Sequence, residues 1–187
     1  MSFLPAVRAK YNITANEDKP LYHVTYLKNL SDIASSGLVP GSGGSLGQGA
    51  GYQEHSSGKT FLTEESGVSF WYSKGEAWAD HNSDNPYDDE LIPVVLRTTF
   101  TQSELEDADI RLEADKLGSR DAAADAFYTE DTIVPNDLEL WNGSSWVHVD
   151  AHVDPDIAME YEEDPDDPSD GWWVFRSDNP LMPLARQ

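Results

Sequence analysis

The chain has 187 residues, 39% of them hydrophobic, and its six Trp, eight Tyr and six Phe supply enough bulk for one packed domain and exclude a disordered chain. Its 35 acidic residues outnumber 12 basic ones, a formal charge of −23, which opposes phosphate-backbone binding because that affinity comes from Lys and Arg releasing counterions. Cysteine is absent, which excludes disulfides and thiolate metal sites.

Three explanations of the acidity compete: a hydrated, halophilic-like surface, complementarity to a basic partner, or electrostatic mimicry of nucleic acid. Residues 1–20 have mixed polarity and no period, predicting an irregular N-terminal arm. They contain no apolar run long enough for a leader or a membrane span, so the expectation is a soluble, cytoplasmic protein without membrane association.

Leu21-Tyr22-His23-Val24-Thr25 is rich in β-branched and aromatic side chains and predicts a short strand presenting His23. Leu27, Leu30, Ile33 and Ala34 then recur at helical spacing. Asn29 is placed to cap that helix, Asp32 to complement its dipole, and Gly37 and Pro40 to end it. Residues 41–58 hold seven glycines, a loop long enough to be functional or mobile. No Gly-Lys-Ser/Thr pattern opens a helix there, so a phosphate loop is excluded. Residues 59–63, Lys-Thr-Phe-Leu-Thr, predict another short strand carrying Phe61.

Val68-Ser69-Phe70-Trp71-Tyr72 reads as a returning strand, because Ser73 and Glu76 have the spacing of a capping box and would start a helix running past Trp78 and His81. After the break at Asn85-Pro86, residues 91–100 form the clearest strand, with Pro93 near its start or at a bulge and Arg97 facing an anion or a carboxylate. An acidic loop with a helical turn is expected over residues 101–117, with Leu105 and Ile110 dipping into the core. A short Ala-rich helix capped by Ser119 follows over residues 121–126. Residues 127–135 place the adjacent acids Glu130 and Asp131 just before Ile133-Val134-Pro135.

Asn142-Gly143 between alternating apolar runs predicts a tight hairpin, with Trp141 and Trp146 meeting across it. His148, Asp150 and His152 would share one face of a continuing strand, but no fourth ligand accompanies them, so no metal is assigned. Residues 154–170 are dominated by Asp, Glu and Pro and read as a solvated linker; the apolar cluster 171–175 beyond it is expected to dock back on the domain.

The strand Leu21-Tyr22-His23-Val24-Thr25, the short helix and Gly37-Leu38-Val39-Pro40 together resemble the opening of the ADP-ribosyltransferase-like superfamily, in its histidine-bearing branch of poly(ADP-ribose) polymerases and RNA 2′-phosphotransferases. The resemblance implies a compact α+β fold, a mixed, mainly antiparallel split β-sheet with short flanking helices. It implies domain bounds of 21–152, with the arm 1–20 before and the acidic and apolar segment 153–187 after. It further implies NAD as the substrate, with His23 on the adenosine-side ribose and Thr25 supporting the nicotinamide pocket. Phe61 falls where the family carries an aromatic residue, often tyrosine, that stacks on nicotinamide. The glycine-rich loop becomes a lid from which Tyr52 or His55 reaches the ligand. The family's catalytic glutamate precedes an apolar-apolar-Pro step on a late strand, which implies such a strand over residues 127–135 and puts Asp131 at that position and Glu130 one residue earlier.

The implied activity is NAD-dependent ADP-ribosyl transfer to a macromolecular acceptor, a protein sooner than a nucleic acid given the charge. Two other classes stay open. One is a catalytically silent domain of the same fold serving protein interaction or a virion; the other is an acidic inhibitor mimicking nucleic acid.

Overall fold

A computed structural model of the chain describes residues 20–41, 57–100, 110–116 and 125–183. Two strands organise it. β1 (Pro20–Tyr26) and β3 (Pro93–Thr99) pair antiparallel over seven residues, from Pro20 opposite Thr99 to Tyr26 opposite Pro93. Val94, Val95 and Leu96 are all fully buried, so β3 is apolar on both faces and reads as a continuous run, without the alternation of a half-exposed strand. Pro93, which has no N–H to give the ladder, sits at the first position.

Around this pair lie β2 (Thr60–Thr63), β4 (Leu112–Ala114), β5 (Ala126–Thr129), β6 (Glu139–Trp141) and β7 (Trp146–His148). They form one seven-stranded sheet in the order β4-β5-β2-β1-β3-β6-β7. β8 (Met159–Glu163) and β9 (Gly171–Phe175) make a separate pair, and every strand pairing among the described residues is antiparallel. With helices α1 (Leu30–Ser36) and α2 (Glu65–Asn82), the fold is α+β with a mainly antiparallel sheet. No helix among the described residues is long and apolar enough to cross a membrane.

Several elements differ from the sequence expectation. The strand expected over residues 68–72 is part of α2, whose buried residues Val68, Tyr72, Gly75, Glu76 and Ala79 follow the helical period. β-prone residue types over five positions lose to that longer burial pattern. Glu76 caps nothing; it is buried in mid-helix, where Asn179 Nδ2 donates to its Oε1 at 3.3 Å. Tyr26 Oη donates to the Gly75 carbonyl at 3.2 Å, seating α2 on the face of β1 that carries Tyr22, Val24 and Tyr26. Asn29 does not cap α1 with its side chain; its Nδ2 donates to Thr25 Oγ1 at 3.0 Å instead.

The late strand stops at Thr129, not at residue 135. Thr129 Oγ1 accepts from the Asp131 amide at 3.0 Å, and this side-chain turn bends the chain out of the ladder. Asp125 is not helical and Ala126 belongs to β5, while residues 121–124 of that expected helix lie outside the described residues. The β6–β7 hairpin pairs Trp141 with Trp146, their rings 5.4 Å apart, as the alternation predicts. Its loop is four residues, not two, because Asn142 Oδ1 accepts from the amides of both Ser144 and Ser145 at 3.0 Å.

Residues 154–170 are not a plain linker. They contain β8, and Ala158 and Met159 within them are buried. Trp173 of β9 stacks on Tyr87 at 4.7 Å, Phe175 packs with Tyr26, Ala79 and Leu91, and Asn179 Nδ2 donates to Tyr72 Oη at 3.0 Å.

Gly37 joins two distant parts of the chain. Leu38 and Ile133 exchange backbone hydrogen bonds at 2.9 and 3.2 Å beside it. Gly37 has φ +80°, and a Cβ there would lie 2.1 Å from the Ile133 carbonyl oxygen. Gly37→Ala is therefore expected to lower the unfolding free energy by roughly 3 kcal/mol or more, combining left-handed strain with a backbone clash. Gly58→Ala is the control: its φ is +71° with nothing within 4 Å, so its cost is limited to about 1 kcal/mol. Urea unfolding of the two variants checks this, and equal costs would refute the close-approach explanation.

Candidate functional site

The ladder between β1 and β2 is narrow. Tyr22 opposite Thr63 is its only registered pair, against seven between β1 and β3. The His23 ring fills this seam, with Nδ1 2.8 Å from the carbonyl oxygen of Phe61. A carbonyl only accepts, so Nδ1 carries the hydrogen and donates. Burial pushes the His23 pKa down, and the bond to Phe61 opposes that shift in part. The imidazole is therefore neutral, with Nε2 left as an acceptor. A ligand hydroxyl meeting Nε2 would have to be the donor.

Thr25 stands two residues along on the same face of β1 and is buried, its Oγ1 accepting from Asn29. Its own hydroxyl hydrogen remains directional and short-ranged, suited to orienting a group beside His23. Phe61 is placed differently. Thr63 shares a face with Tyr22, so Phe61 shares it too, and its side chain leaves the sheet on the face opposite His23. The two residues meet through the Phe61 carbonyl, while the Phe61 ring lies 6.1 Å from that of Tyr128.

Tyr128 was not singled out by the sequence. Its Oη donates to Glu113 Oε2 at 2.5 Å, and Lys59 Nζ lies 4.2 Å from its ring centre. The bond to Glu113, then burial and the surrounding carboxylates, push its pKa up to about 12. β4, which supplies Glu113, is a three-residue strand, too short for its alternation to stand out in the sequence.

Glu130 and Asp131 follow β5 in a bend. Asp131 Oδ2 accepts from the Arg111 amide at 2.7 Å. Arg111 precedes β4, the outer neighbour of β5, so this carboxylate is turned away from β2 and β1. Glu130 is exposed. Thr63 lies opposite both Tyr22 and Ala126, which sets His23 level with Phe127. With strands about 4.8 Å apart and about 3.3 Å per residue, the Glu130 Cα is roughly 14 Å from that of His23. An extended ligand could span that gap; a single small group could not. Tyr52 and His55 lie outside the described residues.

Arg97 is engaged: its Nε lies 2.6 Å from Glu139 Oε2 and its guanidinium 4.4 Å from the Trp146 ring centre. β7 ends at His148, so the strand expected to align His148, Asp150 and His152 does not continue. His148 Nδ1 pairs with Asp150 Oδ1 at 2.8 Å. Among the described residues no group of three or more His, Asp or Glu could hold a metal ion.

The half-buried imidazole makes a pH prediction. Its folded-state pKa lies below the ordinary 6.5, so above pH 6.5 both folded and unfolded forms are neutral and the stability is fully present. As pH falls below 6.5 the unfolded chain takes up a proton that the folded one refuses. Stability is then lost until the folded-state pKa is reached. Between pH 6.5 and 5 the parent should lose up to about 1.4 kcal/mol per pH unit more than His23→Asn in urea unfolding. Parallel losses would mean that His23 protonates freely in the fold.

Compared with family models, curated proteins and solved structures, the chain matches none of them.

Proposed function

We propose that this protein binds NAD along the flank of the sheet running from His23 to Glu130, and transfers ADP-ribose with loss of nicotinamide. The observation that carries this reading is the neutral His23 imidazole in the β1–β2 seam, its Nδ1 fixed by the Phe61 carbonyl and its Nε2 left to accept from a ribose hydroxyl. Thr25 supports the same face, and the contact of Gly37-Leu38 with Ile133 ties the His23 segment to the one bearing the acids.

In the proposed reaction the bond between ribose C1′ and the nicotinamide nitrogen breaks, its electron pair leaving with nicotinamide. Positive charge develops on the ribose, and a fixed carboxylate nearby lowers the energy of that oxocarbenium-like state. Glu130 is assigned this role, since Asp131 is held by the Arg111 amide. A nucleophile of the acceptor then forms the new bond at C1′ and passes its proton to water. The acceptor is a protein sooner than a nucleic acid, because a chain of charge −23 repels phosphate backbones.

The second reading is a silent domain that binds a nucleotide or a protein without transfer. It is favoured by the engagement of Asp131 and by Phe61 facing away from His23. Release of nicotinamide from NAD separates the two, measured at low and at molar salt for the parent, His23→Ala, Glu130→Gln and Asp131→Asn. Transfer predicts that Glu130→Gln lowers turnover by about 10²- to 10³-fold, that His23→Ala weakens NAD binding, and that Asp131→Asn keeps most of the activity. Binding without turnover in the parent selects the silent reading. Turnover identical in all four proteins would eliminate this site.

A further inference from the structure

The β8–β9 pair has two unlike faces. Met159, Tyr161, Phe175 and Trp173 share the inner one. Met159 is buried, Trp173 stacks on Tyr87, and Tyr161 stands edge-on to Trp173 at 5.7 Å. The outer face alternates differently: Trp172 is directly opposite Glu162, and Val174 directly opposite Glu160. Trp172 is 44% exposed, and both glutamates are exposed. Each apolar side chain thus has a carboxylate across the ladder, about 5 Å away between Cβ atoms.

One described cation borders this face: Arg176 feels the charge of Glu160, but its guanidinium is engaged by both carboxylate oxygens of Asp178, at 3.0 and 3.2 Å. Among the described residues no cation lies over the Trp172 ring. The connecting segment adds Asp164, Asp166, Asp167 and Asp170 and no basic residue. A large exposed indole ringed by acids has a specific complement. It fits a side chain with an apolar stem and a cationic head, the stem lying on Trp172 and the charge meeting Glu160 and Glu162.

We infer that the outer face of β8–β9 is a docking surface for an Arg- or Lys-bearing segment of a protein partner. Nucleic acid is repelled by the same charges, and a second copy of so acidic a chain would bring like charges together. The inference is independent of the transfer reading, because it uses no residue of the His23 flank.

The test uses the full chain and a fluorescein-labelled oligoarginine peptide at about 0.15 M salt, where the Debye length is about 8 Å and distant charges are screened. Saturable binding is expected in fluorescence anisotropy. Trp172→Ala, at unchanged net charge, should weaken it about tenfold, and Trp172→Phe much less. Glu160→Gln with Glu162→Gln should weaken it at least as much as Trp172→Ala. Asp32→Asn with Glu65→Gln removes the same charge away from the ribbon and should change it less than about twofold. Two results overturn the proposal: Trp172→Ala binding like the parent, or the two charge pairs costing the same, which would be attraction to an acidic protein at large. Sedimentation of the parent adds another, since a dimer abolished by Trp172→Ala would make a second copy the occupant. Equal melting temperatures of parent and Trp172→Ala confirm that the comparison is between folded proteins.

Discussion

The unequal grip of β1 on its two neighbours is the constraint from which the rest follows. On one side it is bound to β3 along its whole length; on the other it meets β2 at Tyr22 and Thr63 alone. A sheet that lets two strands diverge leaves backbone groups without ladder partners, and buried groups of that kind are costly. The His23 side chain meets part of the need by donating to the Phe61 carbonyl. The imidazole is thereby a piece of the sheet as well as a candidate ligand. Its burial, its lowered pKa and its fixed tautomer all derive from that structural position. A histidine placed by the backbone in this way is preorganised, because its orientation does not wait for a ligand.

The second junction acts at longer range. Gly37 lets the chain leaving α1 press against Ile133, and the paired amides of Leu38 and Ile133 make the contact directional. Residues 131–135 are consequently held from two directions, by this bridge and by the bond from the Arg111 amide to Asp131. The same bond separates the roles of the two neighbouring acids. Asp131 serves the turn, while Glu130 projects to solvent. Adjacent residues of similar chemistry thus acquire different availability from one backbone amide.

Much of the architecture was legible because it rests on local chemistry. The strand at residues 93–99 declares itself by an unbroken apolar run, and Trp141 and Trp146 by alternation around a turn. The mainly antiparallel α+β architecture was expected from the resemblance of the His23 segment and not from these strands alone, and the sheet has it. Other features were hidden because their cause is remote in sequence. Val68 to Tyr72 looks like a strand until the burial of Gly75, Glu76 and Ala79 extends its period into a helix. Glu76 resembled a capping residue because its partner, Asn179, lies a hundred positions away. In the candidate site, the strand bearing His23 was readable, but the facing of Phe61 was not. It depends on the register of β2 against β1, and a shift of one residue would reverse it.

The acidic composition finds a partial physical account in where the chain puts its aromatic residues. A two-stranded ribbon is at best marginally stable alone, and one carrying Glu160, Glu162, Glu163 and Asp164 also repels itself. β8–β9 overcomes both by its inner face, where Trp173 stacks on Tyr87 and Phe175 joins the cluster of Tyr26, Ala79 and Leu91. Tyr87 also holds the turn that leads into the ribbon, its Oη donating to Asp156 Oδ1 at 2.8 Å. That bond is the first cause of the raised Tyr87 pKa, so the phenol stays protonated and able to donate through neutral pH. Aromatic anchoring on one face is what permits carboxylates on the other. The contacts that hold the ribbon thus lie on its inner face, and the carboxylates beside the exposed Trp172 indole stand on the other.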